Sequence, residues 1–98
     1  MYVGTLALDV LLGDVRSLKQ KRSVVRPLIA DLRRSFPGAA VAETGHLDVH
    51  RRTEIAVAVV ASTAGHCTDV LTACERRVAA RPDVELLSAR QRLRREED

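Results

Sequence analysis

His46, Asp48 and His50 alternate in the stretch GHLDVHRR, residues 45–52. On an extended chain, side chains at every second position leave the same side of the strand. Imidazole and carboxylate groups so grouped are candidates for metal ligation or for half of a catalytic site. A metal centre needs three or four donors converging on one point, whereas same-side strand residues stand roughly 6.5–7 Å apart. Adjacent members of the trio could share an ion if the backbone bends, but on a straight strand all three splay. The one remaining histidine, His66, falls at the start of a later helix. The expectation is therefore a polar connection between two strands, with no metal and no cofactor. Two alternatives stand beside it. One is a binding patch built from Glu43, His46, Asp48, Arg52 and Glu54. The other is a small metal-binding protein or enzyme centred on His46, Asp48 and Glu43.

Other residues able to do chemistry point the same way. Glu43 is a general base in principle, but a strand carboxylate near Arg52 reads first as half of a salt bridge. Cys67 and Cys74 lie seven residues apart on one helix, about 10.5 Å between Cα atoms, beyond the roughly 7 Å that a disulfide spans. Both fall on an apolar stripe and read as buried filler. There is no Gly-rich phosphate loop, nucleophile elbow or CxxC pair. No catalytic residue is assigned.

The strongest functional signal is charge. Residues 16–34 carry Arg16, Lys19, Lys21, Arg22, Arg26, Arg33 and Arg34 against one acid, Asp31. That segment is +6 in a chain of net +3, which leaves −3 for the remainder. At 100° per residue, Lys19, Arg22, Arg26 and Arg33 share a sector of about 60°, over about 21 Å of helix. Arg16 and Arg34 flank the sector. Charge runs on helices are commonly solvated faces. Such faces, however, interleave acids with bases at i, i+4, and this one does not. Cations in register can instead follow a phosphate backbone.

The elements that must hold these residues follow from hydrophobic period. Residues 2–12 alternate as a strand, with Leu6, Leu8 and Val10 on one face and Thr5, Ala7 and Asp9 on the other. Ser17 and Gln20 form a capping box for a first helix, whose stripe is Leu18, Val25, Leu28, Ile29, Leu32 and Phe36. Pro37-Gly38 ends it. Pro27 falls on the opposite side from Leu32 and Phe36, so a mild bend convex to solvent is expected. Residues 39–45 and 54–61 read as strands. A second helix, capped by Ser62 or Thr63, runs to about Arg81 with Cys67, Val70, Leu71, Cys74 and Val78 as its stripe. VELLSARQRL, residues 84–93, reads as a last strand.

The order βαββαβ, with right-handed crossovers, predicts a ferredoxin-like α+β sandwich: a four-stranded antiparallel sheet with two helices on one face. One domain over residues 1–93 is expected, followed by a charged tail, 94–98, that frays. Tyr2 is placed towards the helices. The open sheet face, with Thr5, Ala7, Ala56, Ala58 and Val60, reads as small and flat. It lacks the aromatics on which RNA-binding sheets of this type stack bases, and it offers a surface through which two copies could associate.

At 98 residues, 46% hydrophobic and 30% charged, the chain has the make-up of a folded domain and not of a disordered segment. No apolar run approaches the roughly 20 residues of a membrane helix. The first residues lack a basic n-region and carry Asp9 within their apolar part, so no signal peptide is expected. A cytoplasmic location and no membrane partner follow as expectations.

SLKQKRSVVRPLIADLRRSF followed by VAETGHLDVHRRTEIAVAVV resembles the YlxP-like family of small bacterial proteins of unassigned function. Ser17, Leu18, Lys19, Lys21 and Arg22 match the family's Ser-Leu-Lys-x-Lys-Arg opening. Val41, Ala42, Glu43, His46, Asp48, Arg52 and Glu54 match the later motifs. Pro27, Gly38 and His50 depart from them, His50 standing where an aromatic is usual. The resemblance implies the ferredoxin-like fold and no established activity. Its members' gene neighbourhoods, rich in translation-initiation and ribosome-maturation factors, imply RNA or a ribosomal particle as partner. Together with the charge layout this gives a non-enzymatic binding module acting through the first helix. A self-associating scaffold using the open sheet face is a further alternative.

Overall fold

In the computed structural model of the chain, which describes residues 1–97, the elements are β1 (Tyr2–Leu12), α1 (Leu18–Ser35), β2 (Ala40–Gly45), β3 (Arg52–Ala61), α2 (Ala64–Ala79) and β4 (Val84–Arg95). The strands form one antiparallel sheet in the order β2-β3-β1-β4. Both helices cover one face, so the architecture is the ferredoxin-like sandwich expected from the order of elements.

Local chemistry starts and stops each helix. The Ser17 hydroxyl accepts from the Gln20 N–H at 3.1 Å. The Gln20 side chain reaches back past the cap and accepts from the Arg16 N–H at 2.7 Å. Thr63 caps α2 in the same way, accepting from the His66 N–H at 3.2 Å. α1 runs unbroken through Pro27. That residue is exposed, so the Ser23 carbonyl that Pro27 leaves without its helical donor can turn to water.

Leu6, Leu8, Val10 and Leu12 of β1 pack with Ile55, Val57 and Val59 of β3 against Val25, Leu28 and Leu32 of α1 and Cys67, Leu71, Cys74 and Val78 of α2. Tyr2 and Val70 pack at the margin of this core. Gly4 lets α2 approach β1 closely, since a Cβ there would stand 2.8 Å from Leu71 Cδ1 and 3.3 Å from Cys67 Cβ.

Two irregularities in the ladders decide which residues face where. In β4, Ser88 pairs with Asp9 and Leu86 with Val10, so Leu87 is an extra residue, a β-bulge. Before it, Val84 and Leu86 share the helix-side face with Leu12 and Val10. After it, Ser88, Arg90, Arg92 and Arg94 pair with Asp9, Ala7, Thr5 and Val3 and so share the open face. The open face is therefore not merely small and flat: its β4 edge carries three arginines. In β2, Glu43 pairs with Ile55 and Gly45 with Glu54, which makes Thr44 the extra residue.

The last strand also runs further than the sequence indicates. β4 takes in Arg94 and Arg95, from the segment expected to fray, and the Glu96 N–H donates to the Met1 carbonyl at 2.8 Å. Asp98, the end of that segment, lies outside the described residues. No helix among the described residues is long and apolar enough to cross a membrane.

Candidate nucleic-acid interface

The stretch that holds His46, Asp48 and His50 is a turn, not a strand. The Val49 N–H donates to the His46 carbonyl at 3.0 Å, and His46 takes a left-handed backbone angle, φ 56°. Histidine is among the non-glycine residues that tolerate this region best. The three side chains consequently do not leave one side together. Among the described residues, no group of three or more His, Cys, Asp and Glu side chains is placed to hold a metal ion.

The sheet divides the residues grouped as a patch: His46, Arg52 and Glu54 gather around Asp9 on the open face, while Glu43 and Asp48 border the groove beside α1. Glu43 faces the helices and Arg52 the open face, so Glu43 pairs with Lys21 instead of Arg52. Lys21 Nζ lies 3.1 Å from Glu43 Oε2 and donates to the His46 carbonyl at 2.7 Å. The Thr53 hydroxyl donates to the same Glu43 oxygen at 2.7 Å. Arg52 instead grips Asp9 along one guanidinium edge, Nε donating to Oδ1 at 3.2 Å and Nη2 to Oδ2. His46 Nε2 stands 3.5 Å from that Oδ1 atom. Glu54 accepts from the Thr44 hydroxyl at 2.7 Å and lies 3.6 Å from Arg90.

Lys21 joins this site, and in the sequence only its spacing signals it. It falls in the middle of the stripe made by Leu18, Val25, Leu28 and Leu32, and it is only 3% exposed. A lysine on the apolar face of a helix is buried at a large desolvation cost unless partners meet it. Here they do, and their effect is to bind the β2–β3 turn to α1.

The six cations assigned to a phosphate-binding face divide into two groups. Arg16 pairs with Asp14 at 3.1 Å. Arg33 donates to the Val41 carbonyl of β2 at 2.7 Å. Arg34 lies 3.8 Å from Asp31, whose carboxylate is held mainly by Arg77 of α2 at 2.6 and 2.8 Å. The hydrogen-bonded Arg77 keeps the Asp31 carboxyl below its ordinary value. Lys19, Arg22 and Arg26 are exposed and make no ion pair among the described residues. Arg22 and Arg26 border a groove of about 380 Å3 between α1 and the β2–β3 turn. Leu18, Val25, Ile29 and Leu47 supply its apolar walls, and Glu43 and Asp48 its far side.

The sheet and its two covering helices define a class by fold. The chain is similar to a de novo designed protein with a ferredoxin fold, LFR1 1, solved by solution NMR, with a TM-score of 0.55 and 17% identity over 98% of this chain and 88% of that one. At that identity the likeness speaks to fold alone. No curated protein matches the chain. The family model described as "Protein of unknown function (DUF503)" matches residues 3–91, and the chain belongs to that family.

Proposed function

We propose that this protein is a non-enzymatic binding module for structured RNA or a ribosomal particle, and that α1 makes the phosphate contacts. The observation that carries the reading is the division among the helix cations. Arg33 is anchored by the Val41 carbonyl, and Arg16 and Arg34, though exposed, each have an acid beside them, while Lys19, Arg22 and Arg26 stand together, exposed and unpaired among the described residues. The groove beside Arg22 and Arg26 adds a recess of mixed character at the same edge, with apolar walls and the acids Glu43 and Asp48 on its far side. The resemblance to YlxP-like proteins, carried by the Ser17–Arg22 opening, favours the same partner class.

The test is affinity for duplex RNA and for ribosomal particles across a salt series. Each phosphate contact contributes about −0.7 to −0.9 to the slope of log affinity against log salt, so three contacts give about −2 to −3. The R22A/R26A variant should weaken binding to all duplex sequences alike and flatten the slope by nearly 2. Unchanged binding by that variant, or no binding of the wild type at low salt, would refute the reading.

A further inference from the structure

The face of the sheet turned away from both helices carries a second row of cations. Arg90, Arg92 and Arg94 project from it side by side, because the bulge at Leu87 reverses the facing of every later residue in β4. Had the ladder stayed regular, these residues would have shared the helix-side face with Val84 and Leu86. Alternate strand positions repeat about every 6.8 Å, so the three arginines span roughly 13.6 Å in a straight line. Their neighbours across the sheet are small: Val3, Thr5 and Ala7 on β1, then Ala56 and Ala58 on β3. A depression of about 320 Å3 lies between Thr5, Ala7, Ala56, Arg90 and Arg92. Arg92 has no ion-pair partner among the described residues. Arg90 pairs with Glu54 at 3.6 Å and Arg94 with Glu96 at 3.4 Å, but all three guanidinium groups are exposed to solvent.

We infer that this open face binds single-stranded RNA, with the β4 arginines tracking the phosphates. Three features select that occupant. An evenly spaced row of exposed guanidinium groups suits a polymer of repeating anions. Guanidinium planes also stack on unpaired bases, so the face does not need the aromatics it lacks. The small residues beside the row leave open floor over which bases can lie. An acidic peptide adding to the free edge of β4 is a poorer match, because only alternate side chains of an added strand would face the arginine row. A second copy is poorer still. Burying this face would desolvate the arginine row, while of its acids Asp9 is held by Arg52 and Glu54 lies beside Arg90, which leaves Glu85, opposite Leu11, without an ion pair among the described residues. The site is separate from α1, which lies on the other side of the sheet, so it stands or falls independently of the function proposed above.

The test uses the full chain and an oligouridine, which forms no duplex. It is run in the R22A/R26A background to remove the helix contribution. The parent R22A/R26A protein should still bind the oligomer. Adding R90A, R92A and R94A should flatten its salt slope by about 2, three contacts at roughly 0.7 each for single strands. R92E alone, which disturbs neither Glu54 nor Glu96, should weaken binding, and R92K should retain most of it. Circular dichroism and melting temperature check that each variant is folded. The inference is overturned if R22A/R26A alone abolishes oligouridine binding, or if R92E binds as the parent does. It is equally overturned if oligoglutamate competes as well as the RNA, or if R92E instead dissolves a concentration-dependent dimer.

Discussion

The Lys21 ammonium lies 2.7 Å from the His46 carbonyl oxygen and 3.1 Å from Glu43 Oε2. One buried cation thereby joins the first turns of α1 to the last residues of β2 and to the turn that follows. Because Arg22 is its neighbour on the helix and Leu47 is next to His46, this contact sets the width of the groove beside the proposed phosphate contacts.

Replacing Lys21 with methionine keeps most of the volume but leaves the Glu43 carboxylate, still bonded by the Thr53 hydroxyl, without its cation. Loss of one partner of a buried pair costs about 3–5 kcal/mol when the other is wholly enclosed. Glu43 retains some contact with water, its side chain being 24% exposed, so about 2–4 kcal/mol is expected. Denaturant unfolding measures it. The K21M/E43L double variant should recover much of the loss, and failure to do so would show that the His46 carbonyl, not Glu43, dominates.

Gly4 is expected to resist even the smallest side chain. Its Cβ would stand 2.8 Å from Leu71 Cδ1 and 3.3 Å from Cys67 Cβ, so α2 or the Leu71 rotamer must give way. Gly4→Ala should cost about 1–3 kcal/mol through overpacking, and combining it with Leu71→Ala should cost less than the sum of the two. Strict additivity in a double-mutant cycle would show that the two groups do not meet.

Asp31 links the helices and makes part of the stability depend on pH. Its carboxyl titrates below the ordinary value of 3.8, chiefly because Arg77 donates two hydrogen bonds to it. A depressed folded-state value means that the carboxylate stabilises the fold above 3.8, and that this contribution is lost as pH falls through the lower folded-state value. Asp31→Asn should therefore lower the melting temperature at neutral pH, with the gap from wild type closing in strong acid. A gap of constant size across that range would count against the pair.

Cys67 and Cys74 are free and buried. Burial pushes the Cys74 thiol up to about 11, which leaves little thiolate at neutral pH. A disulfide reagent should leave both thiols unmodified in the native protein and titrate both in denaturant. Rapid reaction of either thiol without unfolding would show that α2 opens locally.

The elements of this protein were legible in the sequence because the physics that makes them is local. Period-two alternation marked β1 and β3, the helical stripes marked α1 and α2, and Ser17 with Gln20 announced where α1 begins. The order of those elements then left few topologies open. The basic helix was equally plain, since Lys19, Arg22 and Arg26 lie within eight residues of one another. What the sequence could not apportion was the use of each charge. Whether an arginine is free depends on acceptors brought to it from afar, as the Val41 carbonyl is brought to Arg33 and Asp31 to Arg77, 46 residues away. Whether Glu43 and Arg52 share a patch depends on which side of the sheet each occupies, and the sheet parts them. The facing of Arg90, Arg92 and Arg94 was hidden for a sharper reason. Their alternation continues that of Val84 and Leu86, and only the unpaired Leu87 reverses it. A one-residue bulge leaves almost no mark in a hydrophobic pattern, yet it moves every later side chain to the other face. Composition and period thus determined the fold and the first basic surface, while strand register decided that there is a second.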